Sequence, residues 1–148
     1  VVALNGIFER TAQAAAAVRA RAATLDGKSI PDPTGTLERW FGDDLSPERG
    51  ACHDWLINAD PVGYQMAYSA FAEGAGPSRD ALAELSCPAL FMTGSLEPNS
   101  TPHMSQAMAE LAPQGRASVV DDAAHMMPMT HAGAVNAALL DFAQEVFA

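Results

Sequence analysis

The 148-residue sequence predicts an α/β fold in which an all-helical block is inserted into a parallel sheet. Three observations predict it. From residue 87 onward, strand-like and helix-like runs alternate with short connections, the pattern of a parallel sheet with right-handed crossovers. Between residues 9 and 86, helix start and stop signals recur without a strand-like run. The first five residues form a separate apolar run, expected to join the same sheet.

Taken in order, Val1–Asn5 closes on Asn5-Gly6, a turn signal, and reads as a buried strand from its first residue. The chain opens VVALNGIFER without a Met. Termini normally lie at the surface, so such an opening is expected of the later part of a longer protein. Residues 9–25 are rich in Ala and Arg and free of Gly and Pro, which predicts a helix ended by Asp26-Gly27. Residues 30–35 are a connection, and Thr36–Phe41 is a short helix stopped by Gly42. Ser46-Pro47-Glu48 starts the next helix, to about Ile57: Ser caps, Pro suits the first turn, and the acid complements the helix dipole. Asp60-Pro61 repeats the signal, with Tyr64, Tyr68 and Phe71 along one face up to Glu73. Gly74–Pro77 is a break, and Asp80–Leu85 a short helix.

Cys87-Pro88 then leads into Ala89–Gly94, an apolar run expected to be a buried strand. Thr101-Pro102 opens a helix with Met104, Ala107, Met108 and Leu111 on one face, and Pro113–Gly115 ends it. Ala117–Val120 is the third strand, and Val135, Ala138, Leu139, Phe142 and Val146 stripe a final helix. The expected organisation is a core strand over 1–8, a helical block over 9–86 and a βαβα part over 87–148. An open edge at Val1–Asn5 is expected to invite association, including homo-oligomers.

The net charge of −10 argues against nucleic acid or an anionic membrane as partner, since both need clustered Lys and Arg. No apolar run reaches the ~18–20 residues of a membrane span, and no signal-peptide pattern is visible; a soluble, cytoplasmic location is expected. Cys52 and Cys87 lack metal-type spacing; two free thiols suit a reducing compartment, and one disulfide is the alternative. Asp121, Asp122, His125 and His131 fit no helical or hairpin ligand pair, so no metal site is expected.

Parallel sheets bind ligands outside the carboxyl ends of their strands. Glu97 follows one strand end and His125 another, so both fall on one rim, from which the helical block also emerges. On position alone a lone histidine is more often a packed or surface residue, and a loop Glu is usually solvated. Asp121 and Asp122 are expected as turn residues, and His53 and His103 on the surface. Met126, Met127 and Met129 read more often as gap-filling core than as pocket lining, and of the three Met126, beside His125, is the one assigned to substrate. Among Trp40, Phe41, Trp55, Tyr64, Tyr68 and Phe71, most are expected to pack helices onto the core and one or two to face the site; Trp40 is the residue assigned to substrate.

CPALFMTGSLEPNSTP followed by a helix and ASVVDDAAHMMPM resembles the end of an α/β-hydrolase. In that family the penultimate strand leads to G-x-x-D, carrying the acid of a catalytic triad, and the last strand to a small-residue turn carrying its His. The resemblance puts the acid at Glu97, in Gly94-Ser95-Leu96-Glu97, and the base at His125, in Ala-Ala-His-Met where the family usually has Gly-His. LERWF and DPVGYQMAYSAFAEG resemble the cap of small esterases and enol-lactone hydrolases. The acid is Glu rather than Asp, which changes its reach; some relatives carry the acid after the earlier strand, where this chain has Asn5 and Glu9. The nucleophile elbow G-x-S-x-G is absent, and in the family it lies upstream of the strand represented by Val1–Asn5.

What the resemblance implies is a cofactor-independent serine hydrolase cleaving a small carboxylic ester or lactone. His125 is then the general base and later acid, Glu97 its orienting carboxylate, and a missing N-terminal half the source of nucleophile and oxyanion donors. The rival expectation is a non-catalytic hydrolase-like binding protein, or a fragment complementing an N-terminal partner. Related folds also use Asp nucleophiles on halides or epoxides.

Overall fold

The structure, a computed structural model, describes residues 1–147. Among them, β1 (Val2–Leu4), β2 (Ala89–Gly94) and β3 (Gly115–Val120) form a parallel sheet in the order β1-β2-β3. Val2–Leu4 pair with Leu90–Met92 on one side of β2, and Gly115–Val120 run along its other side in step from Ala89 to Gly94. Five helices lie between β1 and β2: α1 (Ala12–Ala22), α2 (Thr34–Phe41), α3 (Pro47–Ile57), α4 (Pro61–Glu73) and α5 (Arg79–Ala83). Helix α6 (Pro102–Leu111) joins β2 to β3, and α7 (Met127–Thr130) and α8 (Ala132–Phe147) follow β3.

β2 is buried along its whole length because helices cover both of its faces. Ala89 and Phe91 pack with Phe8, Leu82 of α5, and Met108 and Ala109 of α6. Leu90 and Met92 point the other way, onto Val120, Ala123, Met127, and Val135 and Phe142 of α8. A third cluster, Leu37 and Phe41 of α2 with Cys52 of α3, takes in Trp40, Met126 and Met129 and so ties the inserted helices to the segment after β3. Cys52 and Cys87 are both free thiols. No helix among the described residues is long and apolar enough to cross a membrane.

Several boundaries differ from expectation for local reasons. α1 starts at Ala12 because Glu9 takes a left-handed φ of 47° and the Thr11 hydroxyl accepts from Ala14 N (3.1 Å), capping the helix. α2 starts at Thr34 because Asp32 accepts from both the backbone N and the hydroxyl of Thr34. β3 begins at Gly115, where a Cβ would lie 2.3 Å from the Ala109 carbonyl oxygen; only glycine lets the strand leave α6 that closely. The single turn α7 carries no apolar periodicity and was not expected.

β1 departs most from the reading of a buried strand: Val1, Val2 and Leu4 are 62%, 43% and 39% exposed. Ala3 faces the α6 side and joins that cluster. Val2 and Leu4 face the other side, where α8 covers β2 and β3 but does not extend over β1.

Candidate active site

The rim at the ends of β2 and β3 is built by two loops bonded to each other. Ser95 N donates to the Val120 carbonyl (2.9 Å), Leu96 N to the Ala123 carbonyl (2.9 Å), and Asp122 N to the Ser95 hydroxyl (2.9 Å). Their approach depends on Gly94, where a Cβ would sit 2.1 Å from the Ala123 carbonyl oxygen. Asp122 turns the second loop with a φ of 55°, a conformation Asp tolerates better than most residues. Locked in this way, the loops bring Glu97 and His125 together: Glu97 Oε2 lies 2.5 Å from His125 Nδ1.

Glu97 is a buried carboxylate with its partners supplied. Its side chain is 0% exposed, and its other oxygen accepts from Asn99 N (2.7 Å) and Ser100 N (3.2 Å). Burial pushes its pKa up, but the hydrogen bond from His125, the Asn99 N–H, the imidazolium charge and the Ser100 N–H together hold it below the ordinary carboxylate value. An ionised acid therefore faces Nδ1, selects the tautomer protonated there, and leaves Nε2 to other work.

The rest of the imidazole environment comes from distant parts of the chain. Trp40 of α2 stacks on the ring, centroids 5.7 Å apart and planes 20° from parallel. Asn5, at the end of β1 with a φ of 51°, donates from Nδ2 to the His125 carbonyl (2.8 Å). The buried Thr93 hydroxyl lies within bonding distance of Asn5 Oδ1 (3.1 Å) and the Ser100 carbonyl (2.7 Å), joining the end of β1 to the end of β2 and its loop. His125 opens onto a cleft of about 240 Å³, roofed by α1, α2 and α4 through Arg21, Arg39, Trp40, Tyr64 and Tyr68. Acid, imidazole and an adjoining small cleft are the parts needed to move a proton to and from a bound molecule.

Comparison with known proteins agrees with this architecture. No family model matches the chain. The chain is 39% identical over 140 residues to (E)-2-((N-methylformamido)methylene)succinate hydrolase of Acinetobacter baylyi, covering 92% of this chain and 52% of that protein. A thermophilic esterase from Thermogutta terrifontis superposes with a TM-score of 0.82 at 24% identity, over 99% of this chain and 56% of the esterase. An enol-lactonase from Burkholderia xenovorans gives 0.74 at 21%, over 97% and 55%. This is an α/β-hydrolase fold. The chain spans about half the length of the relatives it matches, and its sheet is the C-terminal part of theirs.

Within this α/β-hydrolase frame the residues singled out from sequence divide clearly. Glu97 and His125 meet. Trp40 lies against the ring and lines the cleft. Met126 does not line that cleft; its N–H is bonded to the Trp40 carbonyl (3.1 Å), and its side chain packs in the cluster of Leu37, Phe41 and Cys52. Met127 is fully buried under α8. Asn5 and Glu9 are engaged elsewhere, Asn5 with the His125 backbone and Glu9 with Arg79 (2.9 Å). Asp121 and Asp122 form the turn after β3, and His53 and His103 are exposed. Trp55 is 64% exposed rather than packed onto the core. Sequence reasoning passed over Arg21 and Arg39, because no motif or spacing marks them and only the packing of α1, α2 and α4 brings them to the cleft. It also passed over Asn5 as the residue that anchors the histidine loop.

Proposed function

We propose that this chain carries the proton-transfer half of a hydrolase acting on a small carboxylic acid derivative, an ester, a lactone or an amide. The single observation that carries the reading is the Glu97–His125 pair: a buried, fully bonded carboxylate 2.5 Å from Nδ1, with the ring opening onto a cleft. In this reading residues 1–8 and 87–148 belong to the hydrolase core, and residues 9–86 form its cap. His125 and Glu97 are catalytic, and Trp40 contacts the substrate.

The chemistry follows from the geometry. Nε2 takes the proton of a hydroxyl nucleophile as that oxygen attacks the substrate carbonyl, and Glu97 stabilises the imidazolium that forms. The imidazolium then protonates the leaving group as its bond to the acyl carbon breaks. A water, deprotonated by the same Nε2, releases the acid and returns the nucleophile its proton. G-x-S-x-G occurs nowhere in the sequence, so we assign the nucleophile and the oxyanion donors to the part of the fold outside this chain. The relative from Acinetobacter supports a hydrolase, and its name joins a formamido group to a succinate.

The test is a serine-directed fluorophosphonate on the whole protein, with hydrolysis of short p-nitrophenyl esters. Labelling of a serine outside residues 1–148, lost ester turnover in His125→Ala and retained fold support the reading. A whole protein that is neither labelled nor active on any ester, lactone or amide removes it.

A further inference from the structure

Arg21 and Arg39 come from different helices, α1 and α2, and converge in the cleft beside His125. Both donate to one atom, the buried hydroxyl oxygen of Thr36, Arg21 Nη2 at 2.7 Å and Arg39 Nη2 at 3.2 Å. A hydroxyl oxygen has two acceptor sites, so these two bonds fill it, and it carries no charge. Neither guanidinium pairs with a carboxylate among the described residues.

The other arginines with defined partners are spent structurally. Arg79 pairs with Glu9 and Arg116 with Glu145, while Arg10 and Arg49 bond backbone carbonyls. In a chain of net charge −10 the cleft is lined by two cations, a histidine, two tyrosines and neutral amides, with no Asp or Glu in its wall. Tyr68 lies under Arg21, 5.1 Å from ring centroid to guanidinium carbon, which orients the cation without neutralising it. Burial and the charge of Arg21 both push the Arg39 pKa down, so the pair is held against its own repulsion. Two forks with most of their N–H groups unused, held at a neutral atom and facing a cleft, are complementary to a planar anion.

We infer that Arg21 and Arg39 form a carboxylate-binding site in the cleft beside His125, so that the substrate is a small organic acid bearing a free carboxylate near the acyl bond that is cleaved. This deepens, and rests on, the hydrolase reading above. The arginines are substrate-binding residues: they fix one end of the molecule while His125 faces the other.

The experiment uses the whole protein and two esters of matched carbon skeleton, monoethyl succinate and ethyl butyrate, with succinate and inorganic phosphate as binding probes by calorimetry. Wild type is expected to prefer monoethyl succinate. Arg39→Gln is expected to lower kcat/KM on it by about 10- to 100-fold, mainly through KM, with ethyl butyrate changed less than about threefold. Arg39→Lys is expected to recover part of the loss, since it restores charge without the fork. Succinate is expected to bind wild type and not Arg39→Gln. If the fluorophosphonate labels no serine and no ester, lactone or amide is cleaved, but succinate binding depends on Arg39, the hydrolase reading falls and the carboxylate site stands. If ethyl butyrate is cleaved as fast as monoethyl succinate and succinate does not bind wild type, the carboxylate site falls and the hydrolase reading stands. Phosphate binding more tightly than succinate overturns the assignment to a carboxylate. The wild-type preference and binding remain decisive should Arg39→Gln fail to fold.

Discussion

Glu97→Gln tests the core of the proposal with almost no change of volume. The glutamine has one acceptor oxygen where the carboxylate had two. Asn99 N and Ser100 N both need an acceptor, at 2.7 and 3.2 Å from Oε1 in the native structure. Turning the amide nitrogen toward them would orphan two donors, at about 1–3 kcal/mol each. The oxygen therefore stays with the backbone and the NH₂ faces Nδ1, which must then accept. The ring proton moves to Nε2, the nitrogen that has to take the proton of the nucleophile. A wrong tautomer of this kind costs roughly 10⁴ in kcat in a serine protease triad, about 5 kcal/mol of barrier.

Stability changes in a way that identifies the same pair. Replacing a charge-assisted hydrogen bond costs about 1.5–3 kcal/mol at neutral pH. The folded carboxyl titrates below its ordinary value despite burial, because His125 and the two backbone N–H groups favour the charged form. The unfolded chain therefore takes up this proton first as pH falls. The contribution of Glu97 is complete above the ordinary Glu value of about 4.3 and is lost as pH drops through the lower folded value. Urea unfolding of the whole protein from pH 7 to 3, ester turnover and ¹⁵N NMR of the imidazole read all three effects. A folded Glu97→Gln protein with kcat within about tenfold of wild type would refute the assignment. So would an unchanged acid slope of stability.

Other perturbations address the frame around the pair. Gly94→Ala places a methyl 2.1 Å from the Ala123 carbonyl oxygen, so the histidine loop has to move; a loss of about 1–3 kcal/mol or more is expected by thermal unfolding, and an unchanged Tm contradicts it. Asn5→Ala removes the bond to the His125 carbonyl and puts Ala at a φ of 51°, each costing about 1 kcal/mol; Asn5→Gly should recover only the second. Equal stability of the two variants would mean that the side-chain bond, and not the backbone conformation, accounts for the loss. Expressed by itself, the chain should self-associate through the outer edge of β1, where Val2 and Leu4 are exposed, and a monodisperse monomer in sedimentation equilibrium would overturn that expectation.

Much of the fold was legible because its signals are local. Ser46-Pro47 and Asp60-Pro61 cap α3 and α4 through bonds to residues three positions on, and those helices begin where the caps predict. The unbroken apolar run ALFM marked β2 as covered on both faces. The same pattern at Val1–Leu4 misled, because composition records what a strand can bury and not whether a helix reaches it. α7 is a single turn fixed by its neighbours, without a periodicity of its own.

The sequence by itself determined the order of elements, the insertion of five helices between β1 and β2, and the rim on which Glu97 and His125 lie. Chain order, short right-handed connections and strand ends suffice for that. Only the tertiary structure decided that Glu97, with its extra methylene, reaches Nδ1, since that distance depends on the close approach of Gly94 to Ala123. It also decided that Asn5 holds the histidine backbone, that Trp40 rather than Met126 lines the cleft, and that Arg21 and Arg39 share Thr36. Each of these joins side chains from separate elements. Their meeting is set by how helices pack across a sheet end, and sequence spacing holds no measure of that distance.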